Sequence, residues 1–163
     1  MYNVKYFDND LFYTCSLIEY ISRKTLNRNS TIVNNLGIDG VGWIYLNAEV
    51  NHCLSLEQVA NEVIEEYKIE NGQVDIVSNC DVVVPTCFDM GKVYMRLILN
   101  TLDYEYTASN AETNNKSRNL IEHLADVYNS WICDTIDCYD NLMFTLNPEY
   151  HYMCFQAKEL LPE

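Results

Sequence analysis

One segment of the sequence, residues 54–67, fits a single helical period more closely than any other. Its apolar residues occupy the i, i+3, i+4, i+7, i+8 and i+11 positions of one helical stripe: Leu56, Val59, Ala60, Val63, Ile64 and Tyr67. Ser55 and Gln58 have the spacing of a capping box, which places the start of the helix. We therefore expect an amphipathic helix here, with an acidic outer face, around which the rest of the chain packs.

Helical spacing recurs along most of the chain. It predicts further helices over residues 10–26, 30–36, 38–49, 89–101, 120–143 with a break near Asn129-Ser130, and from Asn147 towards the C-terminus. Gly37 suits the residue just after the second helix. Val74, Ile76 and the run 82–84 have strand chemistry, although Pro85 would confine that run to an edge. The predicted fold is an all-α compact bundle of six or seven short helices with, at most, a minor β-ribbon.

The length of the chain suits one domain, because 163 residues are enough to bury a core without cross-links. We therefore treat residues 1–163 as a single acidic helical domain. Residues 102–116 form the most polar stretch, with Ser109-Asn110 and Asn114-Asn115. This composition predicts a mobile connector between an N-terminal and a C-terminal helical half.

The formal net charge is −14, from 24 acidic and 10 basic residues. Binding to phosphate backbones or anionic membranes depends on Lys and Arg neutralising charge, so direct contact with nucleic acid or membrane is disfavoured. The natural complement is a protein with a basic surface. Seven Cys residues, an odd number in a chain with a sufficient core, indicate reduced thiols. With no long apolar run or signal-peptide pattern, these features predict a cytoplasmic protein.

Catalytic and cofactor motifs are missing from the sequence. It has no P-loop, no GxGxxG and no nucleophile elbow, so we assign no catalytic residue and no cofactor. His52 and Cys53 stand just before the 54–67 helix, whose N-terminal dipole would favour a thiolate. They form a candidate reactive pair, joined by His123 or His151 if the fold brings one near, or a structural one in which His52 bridges two helices. Zinc ligation by Cys133, Cys138, His151 and Cys154 is disfavoured by the ligand spacing, so no metal is assigned.

Carboxylates dominate the C-terminal half, where no Lys or Arg stands between Arg118 and Lys158. On a helix, Asp134 and Asp137 would point away from the apolar positions, with Asp140 at the edge. The predicted partner-binding residues are this acidic row with four tyrosines as aromatic anchors: Glu122, Asp126, Asp134, Asp137, Asp140, Tyr104, Tyr106, Tyr150 and Tyr152. Such a row could imitate nucleic-acid phosphates, or it could be a solvated helix face.

Residues 11–67 also resemble a known family. The residues that carry the resemblance are Leu17-Ile18-Glu19-Tyr20, Ile32-Val33, Leu36-Gly37, Ile44-Tyr45, Ala48, His52 and the helix that follows. They resemble very small, all-helical bacterial proteins of unknown function that are often encoded beside a protein resembling an ADP-ribosyltransferase toxin. The resemblance implies a partner or antidote of an enzyme and carries over no catalytic residue. The long acidic C-terminal half departs from that family.

These observations lead to one main hypothesis and two alternatives. The main hypothesis is a non-enzymatic acidic module of the antitoxin, immunity or inhibitor type, which masks a basic or catalytic surface of another protein such as a toxin or effector. The first alternative is a small enzyme, or a redox or metal sensor, built on the His52–Cys53 junction. The second is a phosphate-mimicking inhibitor of a nucleic-acid-binding protein. The oligomeric state is left open.

Overall fold

The structure, a computed structural model, describes residues 7–102 and 113–163, with side chains described from residue 117 onwards in the second range. Eight α-helices lie in these ranges: α1 (Asn9–Thr25), α2 (Asn29–Leu46), α3 (Ala48–Asn51), α4 (Leu56–Glu66), α5 (Cys87–Thr101), α6 (Thr113–Tyr128), α7 (Trp131–Asp137) and α8 (Pro148–Ala157). Two 3₁₀ turns, Tyr139–Asn141 and Met143–Thr145, separate α7 from α8. The described residues contain no strand, so the all-α prediction is confirmed and the β-ribbon over residues 74–85 is wrong.

Helix α1, and not α4, is the centre of the bundle. It packs most extensively against α5 and α2 and also contacts α3 and α4, whereas the principal packing partner of α4 is α1. Residues on every side of α1 are buried, including Leu17, Ile18 and Glu19 in succession. The prediction that the rest of the chain packs around α4 is wrong. A helix with one apolar face lies at the periphery of a bundle, whereas a central helix has no polar face.

Small residues allow α1 and α5 to pack closely. A Cβ atom on Gly91 of α5 would lie 2.1 Å from Ser16 Oγ and 3.0 Å from Ser16 N. Ser16 tolerates burial because its hydroxyl donates to Phe12 O at 2.8 Å, and Thr14 bonds back to Asp10 O in the same way. A buried hydroxyl with an acceptor within its own helix has no unpaired donor.

Helix α2 contains the glycine boundary that the sequence indicates. Gly37 has φ +69° and ψ 176°, a conformation that favours glycine, so two helical segments meet there at a kink. The third helix predicted over residues 38–49 is too long at its C-terminal end. Helix α2 ends at Leu46, and Ala48–Asn51 form a separate turn, α3. The boundary lies at Asn47, whose side chain donates to Trp43 O at 2.8 Å.

Local capping explains where several helices begin. Ser55 accepts from Gln58 N at 3.1 Å as predicted, but the Gln58 side chain turns to Glu62, so only half of the expected capping box forms. The complete capping box of the structure is instead at α5, between Thr86 and Asp89. Asn147 caps α8 and Pro148 is its first residue, which confirms that start.

The loop between α4 and α5 is tied to the end of α1 rather than paired into a ribbon. Gly72 N donates to Thr25 O at 2.8 Å and Val74 N donates to Leu26 O at 2.9 Å. Asn27 adds a side-chain bond to Glu70 O. These anchors hold an irregular segment against the bundle, because they satisfy the carbonyls that the end of α1 leaves unpaired.

The connector over residues 102–116 stays a prediction, because most of it lies outside the described residues. Helix α6 already begins at Thr113, and residues 103–112 lie outside the described residues. α6 packs against α2 and α5, so the C-terminal helices contact the N-terminal ones directly. The break after Tyr128 is confirmed, but the helix that follows ends at Asp137, well before residue 143. None of the helices in the described ranges combines the length and the apolar character needed to cross a bilayer.

Candidate functional site

The predicted acidic row is largely engaged within the molecule. Asp134 pairs with Arg28 at 3.1 Å, and Glu122 pairs with Arg118 on its own helix at 3.1 Å. Asp140 Oδ1 accepts from the Asp81 backbone N–H at 2.9 Å. The sequence has no cation between Arg118 and Lys158, but the fold brings Arg28 from the start of α2 to this surface. That these residues and the exposed Asp126 contact a partner stays a prediction.

The prediction that Asp137 points away from the core is wrong. Asp137 is 7% exposed, and its Oδ1 accepts from the Tyr94 hydroxyl at 2.5 Å. The Cys133 thiol donates to Oδ2 at 3.2 Å. Cys133 behaves as an apolar residue and is buried beside Ile132 and Ile136. The buried face of α7 is therefore wider than a stripe through the two isoleucines alone, and it includes Asp137. The Asp137 carboxyl is therefore engaged inside the fold, and its contact with a partner stays a prediction.

A second buried carboxylate, Glu19, lies in the centre of α1. Arg23 approaches its Oε1 at 3.3 Å, Asn29 Nδ2 donates to Oε2 at 2.7 Å, and the Tyr139 hydroxyl donates to Oε1. Arg23 also donates to Tyr139 and to Pro85 O, both at 2.8 Å. This network joins α1 and α2 with the C-terminal segment. The sequence patterns indicated no buried role for Glu19 or Arg23.

The charge balance in the core explains the protonation of Asp137. Burial and the nearby Glu19 carboxylate raise the pKa of Asp137 from its usual 3.8 to about 7. Arg23 can compensate one of the two buried negative charges, and it contacts Glu19. Asp137 therefore keeps its proton below about pH 7, since a second buried anion would have no partner. The network stabilises the core, and Asp137 and Tyr139 also line a concavity of about 450 Å³ together with Arg28, Asp134 and Asp140.

The predicted tyrosine anchors divide into two groups. Tyr104 and Tyr106 lie outside the described residues. Tyr150 and Tyr152 are both half-buried on α8, and the Tyr150 hydroxyl donates to Leu161 O at 2.7 Å. Tyr150 therefore fastens the C-terminal residues to α8, and a contact with a partner stays a prediction for both.

The His52–Cys53 junction forms an exposed turn between α3 and α4. The backbone N–H of His52 donates to Ala48 O and that of Cys53 donates to Val50 O, which closes the turn. His52 lines a cleft described below, whereas Cys53 is not among the residues that line it. The reactive pair therefore has no geometry in its support, and it stays a prediction.

The other histidines lie elsewhere and are engaged. His123 Nε2 lies 2.7 Å from Thr101 Oγ1, and His151 Nε2 lies 2.7 Å from Met143 O. Burial lowers the pKa of both imidazoles. Neither lines the cleft that contains His52. Cys154 accepts a hydrogen bond from Leu161 N, so three of the four residues weighed as zinc ligands, Cys133, His151 and Cys154, have separate side-chain contacts, and Cys138 is exposed.

An exposed apolar stripe runs along the end of α2 and through α3. Trp43 is 50% exposed, and Leu46 and Val50 are each 71% exposed. Their spacing of three and four residues places them on successive turns, and the hydrogen bonds from Asn47 N to Trp43 O and from Asn51 N to Asn47 O carry the helical path across the boundary. We call these three residues the apolar stripe.

Grooves lie on both sides of Trp43. One, of about 360 Å³, includes Val59, Tyr67, Glu62 and Glu66. The other, of about 390 Å³, lies between α2 and α6 and includes Leu46, Ile121 and Asp39. Trp43 therefore stands between two concave surfaces, each of which includes at least one carboxylate.

A cleft of about 760 Å³ lies where the starts of α1, α4 and α5 meet α3. Aromatic rings form one part of its wall: Phe7, Phe12, Tyr13, Tyr45 and Phe88. The Phe7 and Phe12 ring centroids are 5.3 Å apart and those of Phe12 and Phe88 are 5.9 Å apart, so the phenylalanines form a continuous row. We call this concavity the aromatic cleft.

Carboxylates form the other part of the aromatic cleft. Asp8, Asp10 and Glu49 line it, and His52 is the one basic side chain among its lining residues in the described ranges. Both carboxylate oxygens of Asp8 have partners within the fold. One caps α1 by accepting from Leu11 N at 2.9 Å, and the other accepts from the Tyr45 hydroxyl at 3.0 Å. Asp10 and Glu49 have no such role. Sequence reasoning missed this site, because its residues come from five separate segments.

Comparison with known proteins identified no relative of this chain. No protein-family model matches the chain, and no curated protein or solved structure is significantly similar to it. The resemblance of residues 11–67 to small bacterial helical proteins therefore stays a prediction.

Proposed function

We propose that this protein acts by binding another protein, one that presents apolar side chains beside a basic surface. The apolar stripe supports this proposal. Trp43, Leu46 and Val50 expose apolar area on successive turns, and Trp is the residue most often found at energetically dominant positions of interfaces. The antitoxin, immunity or inhibitor role predicted from the sequence is the specific form of this proposal.

Charge around the apolar stripe supports a basic partner. Glu62 and Glu66 line one groove beside Trp43, Asp39 lines the other, and Glu49 precedes Val50. The cation in these grooves, Arg118, is paired with Glu122. A partner with Lys or Arg around an apolar centre would match this pattern, which favours fast association and the correct register.

The stripe suits a partner better than the predicted C-terminal row does. In that row Asp137 is buried, Asp134 is paired with Arg28 and Asp140 accepts a backbone hydrogen bond. A partner would have to replace these contacts before gaining new ones. Beside the stripe, Glu62 accepts a long hydrogen bond from the Gln58 side chain at 3.5 Å, which is a weaker contact to replace, so we place the contact surface at α2, α3 and α4.

The experiment is capture of partners from a lysate of the source cells by the tagged protein at low and high salt, read by mass spectrometry. The test variant is Trp43→Ala with Leu46→Ala, which removes the apolar centre. The matched control is Val83→Ala with Leu160→Ala, which removes two side chains that are 87% and 51% exposed and line neither groove. Urea unfolding of all forms shows whether the fold is retained.

The proposal requires a stoichiometric protein that the unmodified chain and the control both capture and the stripe variant does not. High salt should weaken that capture, because screening reduces charge complementarity. A protein lost instead on Glu122→Lys with Asp126→Lys would move the interface to the predicted acidic row. Capture that is unaffected by either pair of substitutions, or no capture at all, would contradict the proposal.

A further inference from the structure

The aromatic cleft has the composition of a receptor for a cation with a flat face. Phe7, Phe12 and Phe88 form a row of rings, and the negative faces of aromatic rings attract cations. Asp10 and Glu49 stand beside these rings as hydrogen-bond acceptors. Among the described residues no Lys or Arg lines the cleft, and His52 is the basic group that they supply there.

The electrostatic interactions within the cleft also favour a bound cation. Burial and the negative charges of Asp8 and Glu49 raise the pKa of Asp10, and His52 offsets part of this effect. The carboxylates therefore repel one another in a partly closed space. A bound positive group would remove this repulsion, since an opposite charge within a few ångströms favours the ionised carboxylate.

An unpaired hydroxyl provides an independent indication. Tyr13 lines the cleft and is 9% exposed, and its buried hydroxyl has no hydrogen-bond partner among the residues that the structure describes. A buried polar group without a partner costs free energy that a ligand donor would recover. Asp10, Glu49 and Tyr13 line the same cleft, so a planar group with several donors is the ligand that matches this set of acceptors.

We infer that the aromatic cleft receives an arginine side chain of the partner protein, an assignment that rests on the proposed function and extends it. A guanidinium is planar, stacks on aromatic rings and offers five donors in a fixed fork, whereas an ammonium offers a compact point charge. The position of the cleft agrees with the proposed interface. Tyr45 lines both the cleft and the groove beside Trp43 and Leu46, so a partner seated on the apolar stripe has the cleft at its edge.

The test uses short capped peptides and the full chain. Acetyl-Gly-Arg-Gly-amide is titrated into ¹⁵N-labelled protein and followed by NMR, with the neutral citrulline peptide as matched control and the lysine peptide as a second cation. The arginine peptide should shift signals of the cleft residues and lower the pKa of Asp10. The citrulline peptide should bind about tenfold more weakly, the loss expected for charge-assisted hydrogen bonds, and the lysine peptide should fall between them.

Substitutions separate the contributions of the lining residues. Asp10→Asn and Glu49→Gln should each weaken the arginine peptide about tenfold, whereas Glu57→Gln, an exposed carboxylate outside the cleft, should not. Tyr13→Phe should weaken binding without lowering the free energy of unfolding, because it removes a hydroxyl that has no partner among the described residues. Lys5→Gln should leave the affinity unchanged; tighter binding would show that the chain's own lysine competes for the cleft and would overturn the assignment.

The outcomes for the cleft and for the proposed function are distinguishable. Equal binding of the arginine and citrulline peptides, equal binding of the arginine and lysine peptides, or signal shifts away from the cleft would overturn the arginine site, even if capture through the apolar stripe succeeds. Arginine binding that depends on Asp10 and Glu49, with no stripe-dependent capture, would keep the site and remove the proposed function. Loss of the captured partner on Asp10→Asn with Glu49→Gln would support both.

Discussion

The Tyr94 hydroxyl lies 2.5 Å from Asp137 Oδ1, and both side chains are buried. This contact joins α5 to α7 across the core. It also fixes a carboxyl group in a place where Arg23 is already engaged by Glu19. The result is a core that contains two acids and a single nearby guanidinium, which makes the protonation of Asp137 part of the stability of the fold.

The first prediction concerns the pH dependence of stability. The pKa of Asp137 is raised from its usual 3.8 to about 7, so between these values the folded chain holds a proton that the unfolded chain releases. This contribution to the free energy of unfolding is complete below about pH 4 and is lost as the pH rises through about 7. Asp137→Asn should therefore stabilise the protein at pH 8 by about 2 kcal/mol and change little at pH 4.

Urea unfolding at a series of pH values measures this effect. The control is Asp134→Asn, an exposed position on the same helix that pairs with Arg28. It should move the free energy of unfolding by less than about 1 kcal/mol at any pH. An Asp137→Asn protein that loses stability equally at pH 4 and pH 8 would show that the amide cannot replace the carboxyl in these hydrogen bonds.

The second prediction concerns Arg23. Replacement by Met leaves the buried Glu19 carboxylate without its cation, so we expect a loss of about 3 kcal/mol in the free energy of unfolding. Arg28→Met is the matched control, because Arg28 forms an exposed ion pair with Asp134 and should cost less than about 1 kcal/mol. Chemical denaturation of both variants decides the matter; similar losses would mean that Glu19 finds other compensation.

The third prediction concerns two helical glycines. A Cβ atom on Gly91 would meet Ser16 at 2.1 Å, so Gly91→Ala should destabilise the protein by about 2 kcal/mol as α1 and α5 move apart. Nothing lies within 4 Å of a Cβ atom on Gly42, so Gly42→Ala should stabilise the protein by about 0.5 kcal/mol. Thermal unfolding of the two single variants provides the comparison. A stable Gly91→Ala protein would contradict the close packing.

The fourth prediction concerns thiol reactivity. Cys53 and Cys138 are exposed, whereas Cys15, Cys133 and Cys154 are buried. Burial also raises the pKa of the Cys15 thiol to about 12. Iodoacetamide should therefore modify Cys53 and Cys138 first in the native protein, because alkylation requires an accessible thiolate. Mass spectrometry of digests taken over time measures the order, with urea-unfolded protein as the control in which the order disappears.

Local boundaries were the most predictable part of the fold. Gly37 interrupts α2 where the sequence places a stop, and Asn147-Pro148 start α8 as expected. These signals involve a few neighbouring residues, so no knowledge of packing is needed to read them. The ribbon over residues 74–85 failed for the converse reason: strand chemistry has no consequence without a paired strand, and backbone bonds to the end of α1 hold that loop instead.

The candidate site was much less predictable than the helices. The sequence alone determined an all-α chain, its principal helix boundaries and a strong negative charge, since periodicity, caps and composition act over short distances. The tertiary structure decided that α1 is central, that Glu19 and Asp137 are buried, and that Phe7, Phe88 and Glu49 share one cleft. Burial and proximity arise from contacts between segments far apart in the chain, and a pattern within one helix does not specify which of its polar residues will face another helix.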